Sequence, residues 1–171
     1  MPLKVLMHDI RNLETDAVIV GFHEDVRPLK GAAGALDWLL CGSLSQLLIR
    51  KNVCGALGEV ALLNSKGKIP APKIFLVGLG PRADLSPSAF RTAARIAAAA
   101  IAGAGVSRAG LDLFSSGNVP DEEAFAAFRE GLAEGAGQRA CDITVIAPDA
   151  DSLFWMTRSA GGRRDTDRRS A

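Results

Sequence analysis

The sequence has few of the side chains that most often bind metals or act as nucleophiles. Its 171 residues include only two histidines, His8 and His23, and three cysteines, Cys41, Cys54 and Cys141, with no Cys-x-x-Cys pair. Zinc sites usually need four Cys or His ligands, so this composition excludes a zinc-type cluster. We expect no bound metal and no cofactor. The cysteines are odd in number, widely spaced and set among apolar residues, which predicts three buried, reduced thiols.

Net charge and long apolar runs are also scarce. The formal net charge is +1, whereas domains that bind nucleic acid usually carry a clear basic excess, so we do not expect nucleic acid as a partner. The longest uncharged run in the alanine-rich segment covers residues 96–107, which is too short to span a bilayer. The first residues, MPLKVLMHDI, alternate like a strand and contain no apolar signal segment. We therefore expect a cytoplasmic protein without membrane contacts.

Arginine is concentrated at the C-terminus. Residues 158–171 hold five arginines and two aspartates, and alanine is the only apolar residue type from Thr157 onward. Such a segment buries too little apolar surface to offset the entropy lost on ordering. The sequence therefore predicts one folded domain, residues 1–156, and a disordered Gly/Arg-rich tail, residues 157–171.

Between these ends, short apolar runs alternate with longer helical patterns. Strands are predicted over residues 3–7, 16–22, 57–63, 73–79, 111–114 and 142–147. Helices are predicted after the GAAG segment, from an N-cap at Ser43, and over residues 87–104, 120–134 and 149–156. Because several strands are almost wholly apolar, we expect a sheet that is covered by helices on both faces.

The segment KIFLVGLGPRAD joins a strand to a helix through glycines, as a dinucleotide-binding turn does. Gly78 and Gly80 fit the first two positions of G-x-G-x-x-G, but the third position is Ala83. The cap signal Ser86–Pro87 also places the helix start too late to meet a pyrophosphate. The glycines therefore indicate a tight connection rather than a dinucleotide site.

Five segments follow one another in a specific order and spacing. They are DAVIVGF (16–22), GAAGALDWLLCGSLSQLL (31–48), GALGEVALL (55–63), KGKIPAPKIFLVGLG (66–80) and EGLAEGAG (130–137). Together they resemble the N-terminal domain of the leucyl aminopeptidase (cytosol aminopeptidase) family, over roughly residues 1–136. The resemblance implies an α/β fold of the macro-domain type, a three-layer α/β/α sandwich with a mixed, mostly parallel sheet.

The same resemblance implies that the catalytic machinery lies elsewhere. In that family, catalysis belongs to a separate C-terminal domain, where carboxylates and a lysine hold two metal ions near a motif like NTDAEGR. Here RRDTDRRS shares only a Thr-Asp pair with that motif and lies in the tail. No metal ligand and no catalytic residue carry over, so we expect no aminopeptidase activity.

Macro domains that bind ADP-ribose offer a second comparison, since three segments match theirs in position. HDI resembles the segment whose aspartate accepts a hydrogen bond from adenine, GAAGAL resembles the glycine-rich loop near the distal ribose, and FSSGNVP resembles the diphosphate loop. Consecutive backbone N–H groups in such loops can hold an anion. The resemblance implies these ligand-binding residues: Asp9, Gly31, Ala32, Ala33, Gly34, Ser116, Gly117 and Asn118.

Each of these residues also has a purely structural interpretation. Asp9 would cap the turn before Leu13, the glycines would serve loop geometry, and residues 115–118 would form an ordinary turn before a helix. The ADP-ribose binders read N-A-A-N after the second strand, whereas this chain reads V-G-F-H, with Val20 and His23 at the asparagine positions. We expect His23 to be a surface loop residue, and Trp38 and Trp155 to be packing residues.

Two functions follow as hypotheses. The first is a stand-alone, non-catalytic domain of the leucyl aminopeptidase family that acts in interaction or regulation, its partner being a second copy or a separately encoded aminopeptidase chain. The alternative is a macro-type domain that binds a small nucleotide-like metabolite such as ADP-ribose. A third, nucleic-acid binding through the arginine tail, has only the tail's charge in its favour.

Overall fold

The protein is built on one six-stranded sheet. The structure, a computed structural model, describes residues 3–113, 121–137 and 141–161. The strands are β1 (Leu3–Leu6), β2 (Ala17–Phe22), β3 (Val60–Asn64), β4 (Lys73–Gly78), β5 (Arg108–Asp112) and β6 (Asp142–Ile146). Their order across the sheet is β1-β6-β5-β2-β4-β3. All neighbouring pairs are parallel except β3–β4, which is antiparallel. The sheet is therefore mixed and mostly parallel, as expected.

The register of the central strands defines the two edges at which loops lie. Ala17, the first residue of β2, is paired with Lys73 of β4 on one side and with Ala109 of β5 on the other. The parallel strands therefore begin together at an amino edge and end together at a carboxyl edge. Loops that follow β1, β2, β4, β5 and β6 all start at the carboxyl edge, where ligands of open α/β sheets usually bind.

Helices cover both faces of the sheet. They are α1 (Gly31–Leu39), α2 (Ser43–Ile49), α3 (Pro87–Gly103), α4 (Glu122–Ala136) and α5 (Ala150–Ser159). Helices α1 and α2 share a buried core with alternate side chains of β2 and β4 on one face, whereas α3, α4 and α5 share the larger core on the other. This arrangement confirms the three-layer α/β/α sandwich. Among the described helices none is long and apolar enough to cross a membrane alone, although α1 and α2, bent by 107°, meet those two criteria as a pair.

Helices α3 and α4 approach closely because their facing residues are small. Ala93, Ala94, Ala97 and Ala98 of α3 are all fully buried. On α4, a Cβ added to Gly131 would lie 2.2 Å from the carbonyl oxygen of Arg91. The EGLAEGAG segment thus provides glycines where the backbones of two helices touch.

Several local expectations were wrong in detail. The N-cap of α2 is Gly42, in the left-handed region at φ +80°, and not Ser43. The hydroxyl of Ser43 instead donates to the carbonyl of Leu40, while the carboxylate of Asp37 accepts the N–H groups of Leu44 and Ser45 at 2.8 and 3.0 Å. A side chain from the end of α1 therefore caps α2 across the bend.

The burial of the cysteines and of one tryptophan also differs from expectation. Cys141 is buried, but Cys41 and Cys54 are exposed. Trp38 is 80% exposed on α1, whereas Trp155 packs edge-to-face on Phe125, as expected. Apolar neighbours in sequence do not distinguish an outward-facing position on a helix or a loop from a core position.

The last helix extends past the expected domain end. Helix α5 runs to Ser159, so residues 157–159, assigned above to the tail, are helical. The hydroxyl of Thr157 donates to the carbonyl of Leu153, and Arg129 of α4 donates to the carbonyl of Ser159. The rest of the expected tail, residues 162–171, lies outside the described residues. Its disorder therefore stays a prediction.

Candidate functional site

The loops after β2 and β5 begin side by side at the carboxyl edge. The two strands are paired in parallel up to Val20 and Asp112. Just beyond this pair, a Cβ added to Gly21 would lie 3.3 Å from the Cα atom of Leu113. The loop of residues 23–30 therefore starts next to the chain that leads toward residues 114–120. Ser116, Gly117 and Asn118, the expected diphosphate loop, lie in that segment, outside the described residues.

The glycine-rich segment after this loop starts α1. Helix α1 begins at Gly31, whose φ of +58° favours glycine. A Cβ added to Gly34 would lie 2.4 Å from the carbonyl oxygen of Leu29. Ala32 and Ala33 are buried in the core below α1. Backbone geometry and packing thus account for the small residues at these four positions, whether or not a ligand binds.

Asp9 lies at the same edge, in the turn after β1. It is the N-cap of a short 3-10 turn, Ile10–Asn12, and accepts the N–H of Arg11 at 2.9 Å. The guanidinium of Arg11 also donates to both carboxylate oxygens, at distances from 2.6 to 3.0 Å. These bonds from Arg11 lower the pKa of Asp9. The capping interpretation of Asp9 is therefore correct, and its carboxylate is held by its own neighbour.

His23, at the end of β2, is not the surface residue that we expected. Only 1% of it is exposed, and its Nδ1 atom lies 3.1 Å from the carbonyl oxygen of Gly80. The next loop is held similarly, because the guanidinium of Arg27 donates to the carbonyls of His23 at 2.7 Å and of Cys54 at 3.1 Å. Both side chains thus join segments that meet only in the folded chain.

Glu59 forms a further clasp that the sequence did not reveal. Its Oε2 atom accepts the N–H groups of Cys54 at 2.8 Å and Gly55 at 2.7 Å. Partial burial raises the pKa of Glu59, but these N–H donors outweigh burial and the net pKa is lowered. Gly55 has a φ of +96° and accepts the N–H of Gly80. The only signal in the sequence is a glutamate four residues after a glycine.

In the described part of this edge, the polar side chains mainly form hydrogen bonds with backbone groups. In residues 3–113, 121–137 and 141–161, no group of three His, Cys, Asp or Glu side chains is placed to hold a metal ion. Lys30 occupies the N-cap position of α1 but makes no side-chain capping bond. The arrangement can supply N–H groups and positive charge to a ligand.

The chain has a fold of the macrodomain type. A macrodomain from Oceanobacillus iheyensis with ADP superposes with a TM-score of 0.72 at 15% identity, covering 93% of this chain and 90% of that one. The macro domain of ganglioside induced differentiation associated protein 2 gives a TM-score of 0.71 at 14% identity, with 93% and 84% covered. At these identities the likeness concerns the fold.

Sequence comparison identifies the family. Residues 19–138 match the N-terminal domain of the cytosol aminopeptidase family, and the chain belongs to that family. A probable cytosol aminopeptidase from Geobacter sulfurreducens is 33% identical over 136 residues, which cover 79% of this chain and 27% of that protein. A tomato leucine aminopeptidase mutant has a TM-score of 0.68 at 18% identity, with 94% of this chain and 36% of that chain covered. The chain thus spans about a quarter of the length of the Geobacter sulfurreducens protein.

Proposed function

We propose that this chain is a binding and regulatory module of the cytosol aminopeptidase family, acting in the cytoplasm without hydrolysing peptides itself. One observation carries the proposal: three ionisable side chains at the carboxyl edge, Asp9, Arg27 and Glu59, hold the chain's own backbone. Asp9 caps a turn, Arg27 donates to the carbonyls of His23 and of the distant Cys54, and Glu59 accepts two N–H groups. Side chains engaged in this way make the surface rigid, but they are not available to bind a metal ion or to activate a nucleophile.

The non-catalytic part is tested by assaying the full chain on a chromogenic leucyl amide. We expect no release of the leaving group above background with added zinc or manganese. Release that depends on the metal and is abolished by a chelator would overturn this part of the proposal. Tomato leucine aminopeptidase provides the positive control, since it establishes that the assay detects the family's activity.

The binding part is tested with a cytosol aminopeptidase from a relative, such as the Geobacter sulfurreducens protein. We expect the chain to co-elute with that enzyme or to change its kcat/KM, because the two share this domain. The matched control is the chain with Gly135→Ala, which disrupts the packing of α3 on α4. An enzyme whose elution and kinetics are unchanged at every concentration of the chain would contradict the proposal.

A second candidate function is binding of a nucleotide-like metabolite at the carboxyl edge. It is favoured by the adjacent exits of β2 and β5 and by the start of α1, where Lys30 makes no side-chain capping bond. A macrodomain with a similar fold has been solved with ADP. In this candidate, N–H groups at the edge hold phosphate, and Asp9 contacts the base once Arg11 has moved aside.

Thermal-shift measurements with ADP-ribose, ADP and inorganic phosphate test this candidate. A ligand at 100 times its Kd stabilises the fold by about 2.7 kcal/mol, which moves the Tm by a few degrees. Asp9→Ala should reduce the shift from ADP and ADP-ribose and spare that from phosphate, whereas Lys30→Ala should reduce all three. No shift with any of the three compounds would exclude the candidate.

A further inference from the structure

Strand β3 is the last strand of the sheet, and the backbone N–H and C=O groups of three of its five residues point away from the sheet. At its start, the carbonyl of Glu59 accepts the N–H of Gly78, and just past its end the N–H of Ser65 donates to Pro72. In an antiparallel ladder the bonds to one neighbour recur at every second residue. Ala61 and Leu63 therefore also bond to β4. The N–H and C=O groups of the remaining three residues, Val60, Leu62 and Asn64, face outward.

This edge lacks the features that usually prevent strand pairing. Val60–Asn64 contains no charged residue and no proline, and the side chain of Leu62 at its centre is 53% exposed. Natural edge strands are usually blocked by a charge, a proline or a covering segment. The opposite edge strand, β1, carries Lys4. Throughout the described ranges, no strand lies beyond β3.

We propose that β3 pairs antiparallel with β3 of a second copy of this chain, about a twofold axis at Leu62. The inference names a partner for the binding module proposed above and rests on that proposal. In this register Leu62 faces its own counterpart, and Val60 faces Asn64 of the other copy. Each facing pair exchanges two N–H···O bonds, so every outward group of the strand is used. A twofold contact of this kind closes on itself and yields a dimer.

The charges next to the strand complement each other in this arrangement. Glu59 precedes β3, and its lowered pKa keeps the carboxylate ionised at neutral pH. Lys66 and Lys68 follow the strand, and neither forms an ion pair within the described chain. Antiparallel pairing brings the basic end of each copy next to Glu59 of the other. Parallel pairing would bring like charges together, which is unfavourable.

The two Leu62 side chains would meet on the same face of the joined sheets. Val60 lies on that face and packs against the core formed with α3. Apolar side chains that face each other across an antiparallel pair stabilise it. Because Leu62 is half exposed in the single chain, a polar residue there leaves the fold intact and acts on the contact between copies.

The experiment introduces a charge of either sign at Leu62, the residue on the proposed twofold axis. The full chain is studied by sedimentation velocity from about 1 to 500 µM, a range that brackets weak dimers. We expect the unmodified chain to dimerise, and Leu62→Glu and Leu62→Lys to weaken the dimer by about tenfold or more, since like charges then face each other. An equimolar mixture of the two variants should restore it. Circular dichroism checks that both are folded.

Leu6→Lys is the matched control, because Leu6 is 43% exposed on the opposite edge strand, and it should dimerise like the unmodified chain. Hydrogen exchange adds a residue-specific readout: the amides of Val60, Leu62 and Asn64 should become protected as concentration rises. Those of Ala61 and Leu63 should be protected throughout.

A chain that stays monomeric over the whole range would overturn the inference. So would a dimer that neither Leu62 variant weakens, or a mixture of the variants that stays monomeric. The outcome is separate from that of the proposed function. A monomer that still binds a cytosol aminopeptidase removes only the β3 contact, and a dimer that binds no such enzyme removes only the wider proposal.

Discussion

The guanidinium of Arg11 clamps the carboxylate of Asp9, two residues earlier in the chain, and occupies both of its oxygens. Asp9 is the residue that sequence resemblance assigned to ligand recognition. In the folded chain the same carboxylate also caps the turn after β1. Any ligand that used Asp9 would have to compete with Arg11 for its carboxylate.

Arg11→Ala should raise the pKa of Asp9. The side-chain bonds to Arg11 are the main cause of its lowered pKa, and only the bond from the backbone N–H remains in the variant. The check is a pH titration of the Asp9 carboxyl carbon by NMR. Arg95→Ala is the control, since Arg95 lies on α3, away from this turn. An unchanged pKa in Arg11→Ala would contradict the assignment.

The same pair has a defined effect on stability as pH changes. The pKa of Asp9 is lower in the folded chain than in the unfolded chain. The carboxylate therefore contributes to folding stability above its unfolded pKa, about 4, and this stability is lost as pH falls through the folded pKa. Arg11→Ala should therefore differ most from the unmodified chain at neutral pH and least in acid. Urea unfolding at several pH values measures this difference, and a gap that widens in acid would contradict it.

Gly135→Ala should strongly destabilise the fold. A Cβ at this position would lie 2.0 Å from the carbonyl oxygen of Arg95 on α3, so the helices must separate. Overpacking of this kind costs about 1–3 kcal/mol. Gly103→Ala at the end of α3 is the matched control, because a Cβ there meets nothing within 4 Å. It should be neutral or stabilise by up to about 1 kcal/mol. Equal Tm values for the two variants would contradict the close contact.

Asp37→Ala should destabilise the bend between α1 and α2. The substitution removes the acceptor for the N–H groups of Leu44 and Ser45, and loss of an N-cap acceptor costs about 0.5–2 kcal/mol. Chemical unfolding measures the loss. Glu24→Ala, an exposed site in the loop after β2, should stay within about 0.5 kcal/mol of the unmodified chain. Asp37→Ala with no loss would show that the cap is dispensable.

Glu59→Gln should reduce stability at neutral pH but not in acid. The ionised carboxylate accepts two backbone N–H groups, and bonds to a charged acceptor are stronger than those to an amide. Since the folded pKa is lowered, the contribution exists above the unfolded pKa, about 4.3, and disappears as pH falls through the folded value. Thermal unfolding at pH 7 and pH 3 tests this. A pH-independent difference would count against the ionised clasp.

Features that depend on neighbouring residues could be predicted from the sequence. The start of α3 is an example: Ser86 accepts the N–H of Ala89 at 3.3 Å and Pro87 begins the helix, as expected. Every predicted strand and helix is present, with ends displaced by at most three residues. Such signals are readable because a cap, a proline and a periodic apolar pattern act within one or two turns.

Contacts between distant residues were not predictable in the same way. Serine is a residue type that often caps helices, which suggested Ser43 as the N-cap of α2. In the structure, Asp37 of the preceding helix accepts the N–H groups of Leu44 and Ser45 instead. His23 reads as a loop residue until β4 places the carbonyl of Gly80 beside its ring. The sequence contains both partners in each case, but their pairing depends on how helices bend and strands align.

By itself, the sequence determined the fold class, the family and the order of the elements, since apolar periodicity and the spacing of motifs are local properties of the chain. The tertiary structure decided which polar groups remain available. It committed Arg27 and Glu59 to backbone groups and left the outer side of β3 without a neighbouring strand among the described residues. Burial and hydrogen bonding at these positions arise only when segments far apart in sequence are brought together by the sheet.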